Sequence, residues 1–458
     1  MMPDAAGAAP PVKAGSAVAF HSARARFASG GDSPRAFLER CLKRIAEQEP
    51  VIRAFAALDT EGARRAADAA DKRYAAGAPL SLVDGMPVAV KDIFETADLP
   101  TAFGSPIFKD WRGGRDSAVA YALRRAGAVI VGKAVTTEFA GTHPGPTRNP
   151  LDPARTPGGS SSGSAAAVAA GMVPVAIGSQ VGGSILRPAS FCGIVGYKPT
   201  FGALNRGGSS DNFSQNCLGT LSGDLEDAWA LCDAVAQRVG GDPGFPAFAG
   251  GPAPAAPRRP DALAVLETEG WPKADAASKA ALGALLEALR AQGVTLHDRL
   301  NSSRVAHLEQ AISEASAISR GINDWEKLWP FAELDQRAGA GLSAGLRRDI
   351  AQGRAMTPDQ YQGLLTRRDA MRDALLALAG DVDACITLAS PGPAPIGIES
   401  TGDAVFNHAG SALRAPAMSL PLLGVGGLPQ GVQLIGYPQR DRDLSAVAQY
   451  MLGLAAGA

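Results

Sequence analysis

Gly158-Gly-Ser-Ser-Ser-Gly-Ser164 and Gly178-Ser-Gln-Val-Gly-Gly-Ser184 are two glycine and serine blocks set in an otherwise apolar stretch. The first runs straight into Ala165-Ala-Ala-Val-Ala-Ala170, which predicts a small-residue helix from about Ser162 to Ala170. The second follows a strand-like run, Val173 to Ile177, and is bracketed by Pro174 and Pro188. A mobile linker would not lead at once into an ordered helix, so the blocks read as fixed turns. Glycine allows close backbone approach, and paired turns of this kind aim several N–H groups at one point. An anion or oxyanion site is the chemistry this points to. The concentration is local: 14 of the 54 glycines fall between Gly141 and Gly208.

The obvious rivals fail on residue types. Neither block contains the Lys of a phosphate-binding GxxxxGK[ST] loop, and no GxGxxG follows a first strand. Ser184 is flanked by Gly182, Gly183, Ile185 and Leu186, so it is not the centre of a GxSxG nucleophile elbow. The five histidines, His21, His143, His297, His307 and His408, lie in no readable catalytic motif. Surface or packing roles are expected for them, with His143 and His408 in segments that could border the site.

Outward from the blocks, helix and strand signals alternate as in an α/β protein. Pro34 to Glu49 carries Phe37, Leu38, Cys41, Leu42 and Ile45 at helical spacing behind Ser33, and Thr60 to Ala76 is a second helix ending at Gly77. Met86 to Val90 reads as a strand, Ser117 to Ala126 as a helix, and Ala128 to Val131 as the next strand. Gly240 to Pro260 reads as a surface crossover. Helical spacing returns at Lys279–Ala291, Ala306–Ile318, Leu342–Ile350 and Pro358–Leu378, and strand signals at Ala384–Leu388 and Gly431–Gly436.

Composition narrows the class. With 458 residues and a net charge of −1 the chain can build a large core and has no positive excess for nucleic acid or an anionic membrane. The five cysteines, Cys41, Cys192, Cys217, Cys232 and Cys385, form no CxxC pair, so neither a disulfide framework nor a zinc site is expected, and a reduced, cytoplasmic setting is. Residues 1–30 are expected to be a disordered leader without a signal-peptide core, and no stretch is long and apolar enough to span a membrane.

Several further motifs fall in a set order around the two blocks. They are Asp84-Gly-Met-Pro-Val-Ala-Val-Lys-Asp92, Gly127-Ala-Val-Ile-Val-Gly-Lys133, Thr137-Glu-Phe-Ala140, Asn149-Pro150, Pro188-Ala-Ser-Phe-Cys-Gly193 and Lys198-Pro-Thr200. Thr401-Gly-Asp403, Pro416-Ala-Met-Ser-Leu-Pro421 and Leu428-Pro-Gln-Gly-Val-Gln-Leu-Ile-Gly436 follow near the end. With the two blocks, this series resembles the amidase signature family of serine hydrolases over roughly residues 34–444.

The resemblance implies an α/β fold built on a single large, mixed, twisted β-sheet covered by helices on both faces. It implies one domain over 31–458, in which residues 240–384 are a more variable helical part lining the substrate pocket. It also implies a Ser-cisSer-Lys triad: Ser184 as nucleophile, Ser160 as the bridging serine after a cis peptide from Gly159, and Lys91 as base. Backbone N–H groups of Val181, Gly182, Gly183 and Ser184 would form the oxyanion hole, with Gly159, Gln180 and Leu186 in contact with substrate.

Chemistry explains these residue types. An amide is a poor electrophile, so the serine needs a neighbouring base. A lysine serves as one only if burial disfavours its charged form, and Val88, Ala89 and Val90 predict a strand that carries Lys91 inside. No metal and no cofactor are implied. Many family members carry Asp where Gln180 stands and Arg where Leu186 stands, which puts recognition of small acidic amides in doubt unless Arg187 or Arg206 substitutes.

The reading is an amidohydrolase that cleaves a linear carboxylic amide through a Ser184 acyl-enzyme, releasing ammonia or an amine. One alternative is the glutaminase subunit of a tRNA-dependent amidotransferase. Another is a non-catalytic binding or assembly member. The expected partner is a small-molecule amide, a homodimer being admitted, with neither nucleic acid nor membrane. Trp325, Trp329, Phe331 and Tyr361 are expected to serve ordinary helix packing.

Overall fold

The computed structural model describes residues 16–211 and 213–456. Eleven strands form one sheet: β1 (Phe55–Leu58), β2 (Pro87–Lys91), β3 (Val129–Ala134), β4 (Val175–Gln180), β5 (Val195–Lys198), β6 (Cys217–Ser222), β7 (Ala262–Val265), β8 (Thr295–His297), β9 (Ala384–Leu388), β10 (Ala417–Val425) and β11 (Leu428–Ile435). Their order across the sheet is β1-β3-β2-β4-β6-β5-β10-β11-β9-β7-β8. β2 runs parallel to both β3 and β4, β7 runs parallel to β8 and β9, and every other pairing is antiparallel. The mixed α/β sheet expected from the resemblance is therefore present. Two apolar clusters hold helices against it.

The central strands explain themselves. β2, β3 and β4 are buried at every position, so their sequences are mostly Val, Ile, Ala and Gly without alternation, with polar side chains only toward their carboxyl ends. Helix Ser162–Ala169 is buried along its whole length, which its Ser, Gly and Ala side chains allow. Helix Leu186–Cys192 is likewise fully buried. The two helices that follow the glycine and serine blocks thus lie inside the protein and fix the turns that precede them. In open α/β sheets ligand sites form beyond the carboxyl ends of parallel strands, and β2 ends on Lys91 while β4 ends on Gln180.

Two expectations are corrected. Residues 16–30, expected in a disordered leader, are ordered: helix His21–Ala28 buries Ala23 and Phe27, and Phe20 packs edge-on to Phe37 with ring centroids 5.5 Å apart. The backbone N–H of His21 is held by Asp227 at 2.8 Å. Residues 1–15 of that leader lie outside the described residues. The single helix expected over Ala306–Ile318 is two, Ser303–Ala311 and Ala315–Glu326, broken at Ile312. Gly240 to Pro260 is an irregular crossover without helix or strand, as expected.

Candidate active site

Lys91 is fully buried at the end of β2, and its Nζ lies 2.7 Å from Ser160 Oγ and 2.8 Å from Ser179 Oγ. No ion pair is made to it among the described residues. Ser179 in turn donates to Asp211 Oδ2 at 2.9 Å. Burial pulls the Lys91 ammonium down to about 7, against the opposing pull of the Asp211 carboxylate. The neighbouring Lys133, also buried, shows the contrast: it pairs with Asp92 at 3.1 Å. Of these two among the three fully buried lysines of the described residues, one is paired with a carboxylate and the other faces serine hydroxyls.

The Gly159–Ser160 peptide is cis, as the resemblance implied. The carbonyl of Gly159 accepts from Arg187 Nη2 at 2.7 Å, and that nitrogen also donates to Thr401 Oγ1 at 3.0 Å. The N–H of Ser161 reaches the carbonyl of Ser184 at 3.3 Å, which ties the first block to the second. Ser184 is half-buried at the mouth of its turn. Among the described residues, the N–H groups of Val181, Gly182, Gly183 and Ser184 make no hydrogen bond, so four consecutive donors are free beside it.

The glycines of this turn are required for clearance. A Cβ at Gly182 would stand 2.8 Å from the His408 ring, and one at Gly183 would stand 2.4 Å from Asn407 Oδ1. Neither residue has a positive φ. His408, one of the two histidines singled out in the sequence, therefore packs on the turn, its buried Nδ1 without a partner. Burial and the nearby Arg320 and Arg187 hold its charged form down at about 4. His143 is exposed.

Gln180 and Leu186 do not face open space. Both are fully buried, and the Gln180 Oε1 accepts from the N–H groups of Ile185 and Leu186 at 2.9 and 3.0 Å. Its Nε2 donates to Ser411, whose hydroxyl donates to the Gly182 carbonyl at 2.6 Å. The expected substrate contacts at these two positions are corrected: a neutral carboxamide braces the turn from behind. Of the two arginines that could substitute, Arg206 is committed to Asp242 at 2.6 Å. Arg187 is buried with its Nε unpartnered and no ion pair among the described residues, and burial lowers it to about 10.

A cavity of about 1080 Å³ is lined by none of Lys91, Ser160 and Ser184 but reaches their neighbours. Its wall includes Ser209, which hydrogen-bonds Asp211, and Phe139, two positions from Thr137, whose N–H reaches the Ser160 carbonyl at 3.3 Å. Trp325, Trp329, Phe331 and Tyr361 all line it, in addition to the packing expected of them, in which Phe331 joins the core and Trp325 stacks on Tyr361. Sequence reading missed Ser179, Asp211 and Asn407. Ser179 lies inside the second glycine and serine block, whereas nothing in the sequence around Asp211 sets it apart.

A buried lysine on serine hydroxyls, beside a turn of free N–H groups at the carboxyl end of a mixed sheet, defines a hydrolase equipped for acyl transfer. Residues 36–444 match the Amidase family, and the chain belongs to it; its members cleave amides. Among curated relatives it is similar to the A subunit of the glutamyl-tRNA(Gln) amidotransferase of Chloroflexus aggregans, with 34% identity covering 89% of this chain and 90% of that one. The corresponding amidotransferase subunit of Azoarcus is 36% identical, covering 89% and 92%. A crystal structure of an amidase superposes with a TM-score of 0.81 at 26% identity, covering 94% of this chain and 99% of that chain. The A subunit of the Thermotoga maritima glutamyl-tRNA(Gln) amidotransferase superposes with a TM-score of 0.67 at 25% identity, covering 91% of each. No helix among the described residues is long and apolar enough to cross a membrane.

Proposed function

We propose that the chain hydrolyses a linear carboxamide through an acyl-enzyme on Ser184. Lys91, neutral in its buried site, takes the proton of Ser160 as Ser160 takes that of Ser184, whose oxygen attacks the carbonyl carbon. The free N–H groups of residues 181–184 receive the developing oxyanion, a contribution of about 2.7–4 kcal/mol per donor in comparable sites. The proton returns through Ser160 to the leaving nitrogen, and water then releases the acid by the same relay. The observation that carries this reading is the 2.7 Å contact between the buried Lys91 side-chain nitrogen and Ser160.

Two versions of this chemistry divide on substrate. The names of the relatives give the glutaminase subunit of an amidotransferase more support than a stand-alone amidase, since these relatives are amidotransferase subunits aligned over about nine-tenths of both chains. That version adds partner subunits. The stand-alone version is favoured by one feature, the large aromatic cavity, which glutamine would leave largely empty. Arg187, a buried cation without a carboxylate, suits a substrate acid group in either version. Five free, buried cysteines support a reducing cytoplasmic setting.

Ammonia release from glutamine and from a panel of linear amides, with Ser184→Ala as control, tests the reading. Turnover of glutamine alone, raised by co-purifying subunits, selects the amidotransferase version, and turnover of larger amides by the isolated chain selects the other. Amide hydrolysis that persists in Ser184→Ala contradicts both.

A further inference from the structure

The chain holds 15 Phe, 5 Trp and 6 Tyr, and eleven of these side chains line the cavity described above. They come from separate segments that only the fold brings together. Phe139 lies 5.0 Å from Phe331 between ring centroids, Phe331 is 6.2 Å from Phe213, and Trp325 stacks on Tyr361 at 5.3 Å and 15°. These are the separations at which aromatic rings attract one another, so a flat ring entering the cavity meets faces and edges already in place.

Of the charges in the wall, Arg206 is paired with Asp242, while Arg414 and Glu326 make no ion pair among the described residues. Arg414 stands with its guanidinium carbon 4.3 Å over the Phe201 ring, gives one hydrogen bond to the Ser214 carbonyl, and has a buried Nε without a partner. Arg368 donates to the Ser214 hydroxyl at 2.9 Å and, with Arg372, adds positive potential. The wall's own carboxylate, Glu326, is occupied by the Tyr361 hydroxyl at 2.7 Å and the Ser214 N–H at 2.8 Å. Arg414 also has φ of 55°, a left-handed conformation that glycine adopts freely and other residues seldom do. The position after helix His408–Ala412 thus carries a cation where a helix end ordinarily uses glycine.

We propose that this cavity recognises the non-reacting end of the substrate as an aromatic ring bearing a carboxylate, with the aromatic walls taking the ring and Arg414 taking the acid. This rests on the amide-hydrolase reading above and names the substrate class for it. Arginine reads a carboxylate through its N–H donors, and Arg414 Nη1 makes no hydrogen bond among the described residues and is not among the buried atoms, whereas Nε lies buried behind it.

Four probes test it: 4-carboxyphenylacetamide, phenylacetamide, butyramide and glutamine. The expected kcat/KM falls at least tenfold from the first to the second and again from the second to the aliphatic pair. Arg414→Gly, which suits the local φ, should reduce the ratio between 4-carboxyphenylacetamide and phenylacetamide at least tenfold, and Trp325→Ala should reduce the ratio between phenylacetamide and butyramide. Binding of 4-carboxyphenylacetamide to Ser184→Ala, followed by tryptophan fluorescence, reads the cavity without turnover and should weaken at least tenfold when Arg414→Gly is added. A flat ladder, or ratios and binding that Arg414→Gly leaves alone, overturns the assignment. If no probe is hydrolysed and a fluorophosphonate leaves Ser184 unlabelled, the amide-hydrolase reading fails, and the binding comparison still decides the cavity.

Discussion

Lys91 Nζ and Ser160 Oγ lie 2.7 Å apart in a space closed to solvent, and no carboxylate pairs with that lysine among the described residues. Burial pulls the amine toward its neutral form, while Asp211, reached through Ser179, opposes that pull.

The pH dependence of kcat/KM should follow from this pair. Lys91 works as a base only when unprotonated, so activity is expected to rise with pH through a midpoint near 7. Because Asp211 favours the charged amine, Asp211→Asn should move the midpoint to lower pH. A midpoint that stays in place in Asp211→Asn would separate the carboxylate from Lys91.

The same burial couples to stability. The unfolded lysine titrates near 10.4 and the folded one near 7, so between these values the unfolded chain binds more protons and stability rises with pH. Lys91→Met should abolish turnover and be relatively more stable than the parent at pH 6 than at pH 9. Denaturant unfolding at the two pH values measures the difference.

Clearance at the turn predicts a kinetic effect. Ala at Gly183 would place its Cβ 2.4 Å from Asn407 Oδ1 and shift the free N–H groups. Gly183→Ala is expected to lower kcat about 100-fold or more, comparable to loss of one oxyanion donor, with a smaller change in KM. Steady-state kinetics on the best amide decides this.

Gln180 braces the turn through two accepted hydrogen bonds. Gln180→Leu leaves the N–H groups of Ile185 and Leu186 buried and unpaired, at a cost of about 1–3 kcal/mol each. Calorimetry should show a lowered Tm, together with a lowered kcat.

The N-terminal helix carries a stability prediction of its own. Phe27 is 4% exposed and contacts Phe20, Phe37 and Tyr74. Phe27→Ala should cost about 3–5 kcal/mol, whereas a disordered leader would give no change in denaturant midpoint.

What sequence could reveal depended on how local the signal was. Lys91 was legible because Val88, Ala89 and Val90 carry it inward, and the two glycine and serine blocks were legible because the first runs into a small-residue helix and the second follows an apolar strand between Pro174 and Pro188. Strand β10 was not, since Pro421 interrupts it; the structure accommodates the proline with a register shift between Leu420 and Leu423. Strand β6 reads Cys-Leu-Gly-Thr-Leu-Ser, buried on both faces, and so lacks the alternation that marks a half-exposed strand. Asp211, Asn407 and the aromatic cavity come together only through contacts between segments far apart in the chain. Leu186 invited comparison with an absent arginine, while the buried Arg187 beside it contacts the Gly159 carbonyl.

Ser184 is proposed as the nucleophile of a lysine-driven relay. Peptide mapping by mass spectrometry after reaction with a fluorophosphonate tests it most directly, using the parent chain, Lys91→Met and Ser184→Ala. One adduct is expected, on the peptide containing Ser184, formed far more slowly in Lys91→Met and absent in Ser184→Ala. An adduct on another serine, or labelling at an undiminished rate in Lys91→Met, would contradict it.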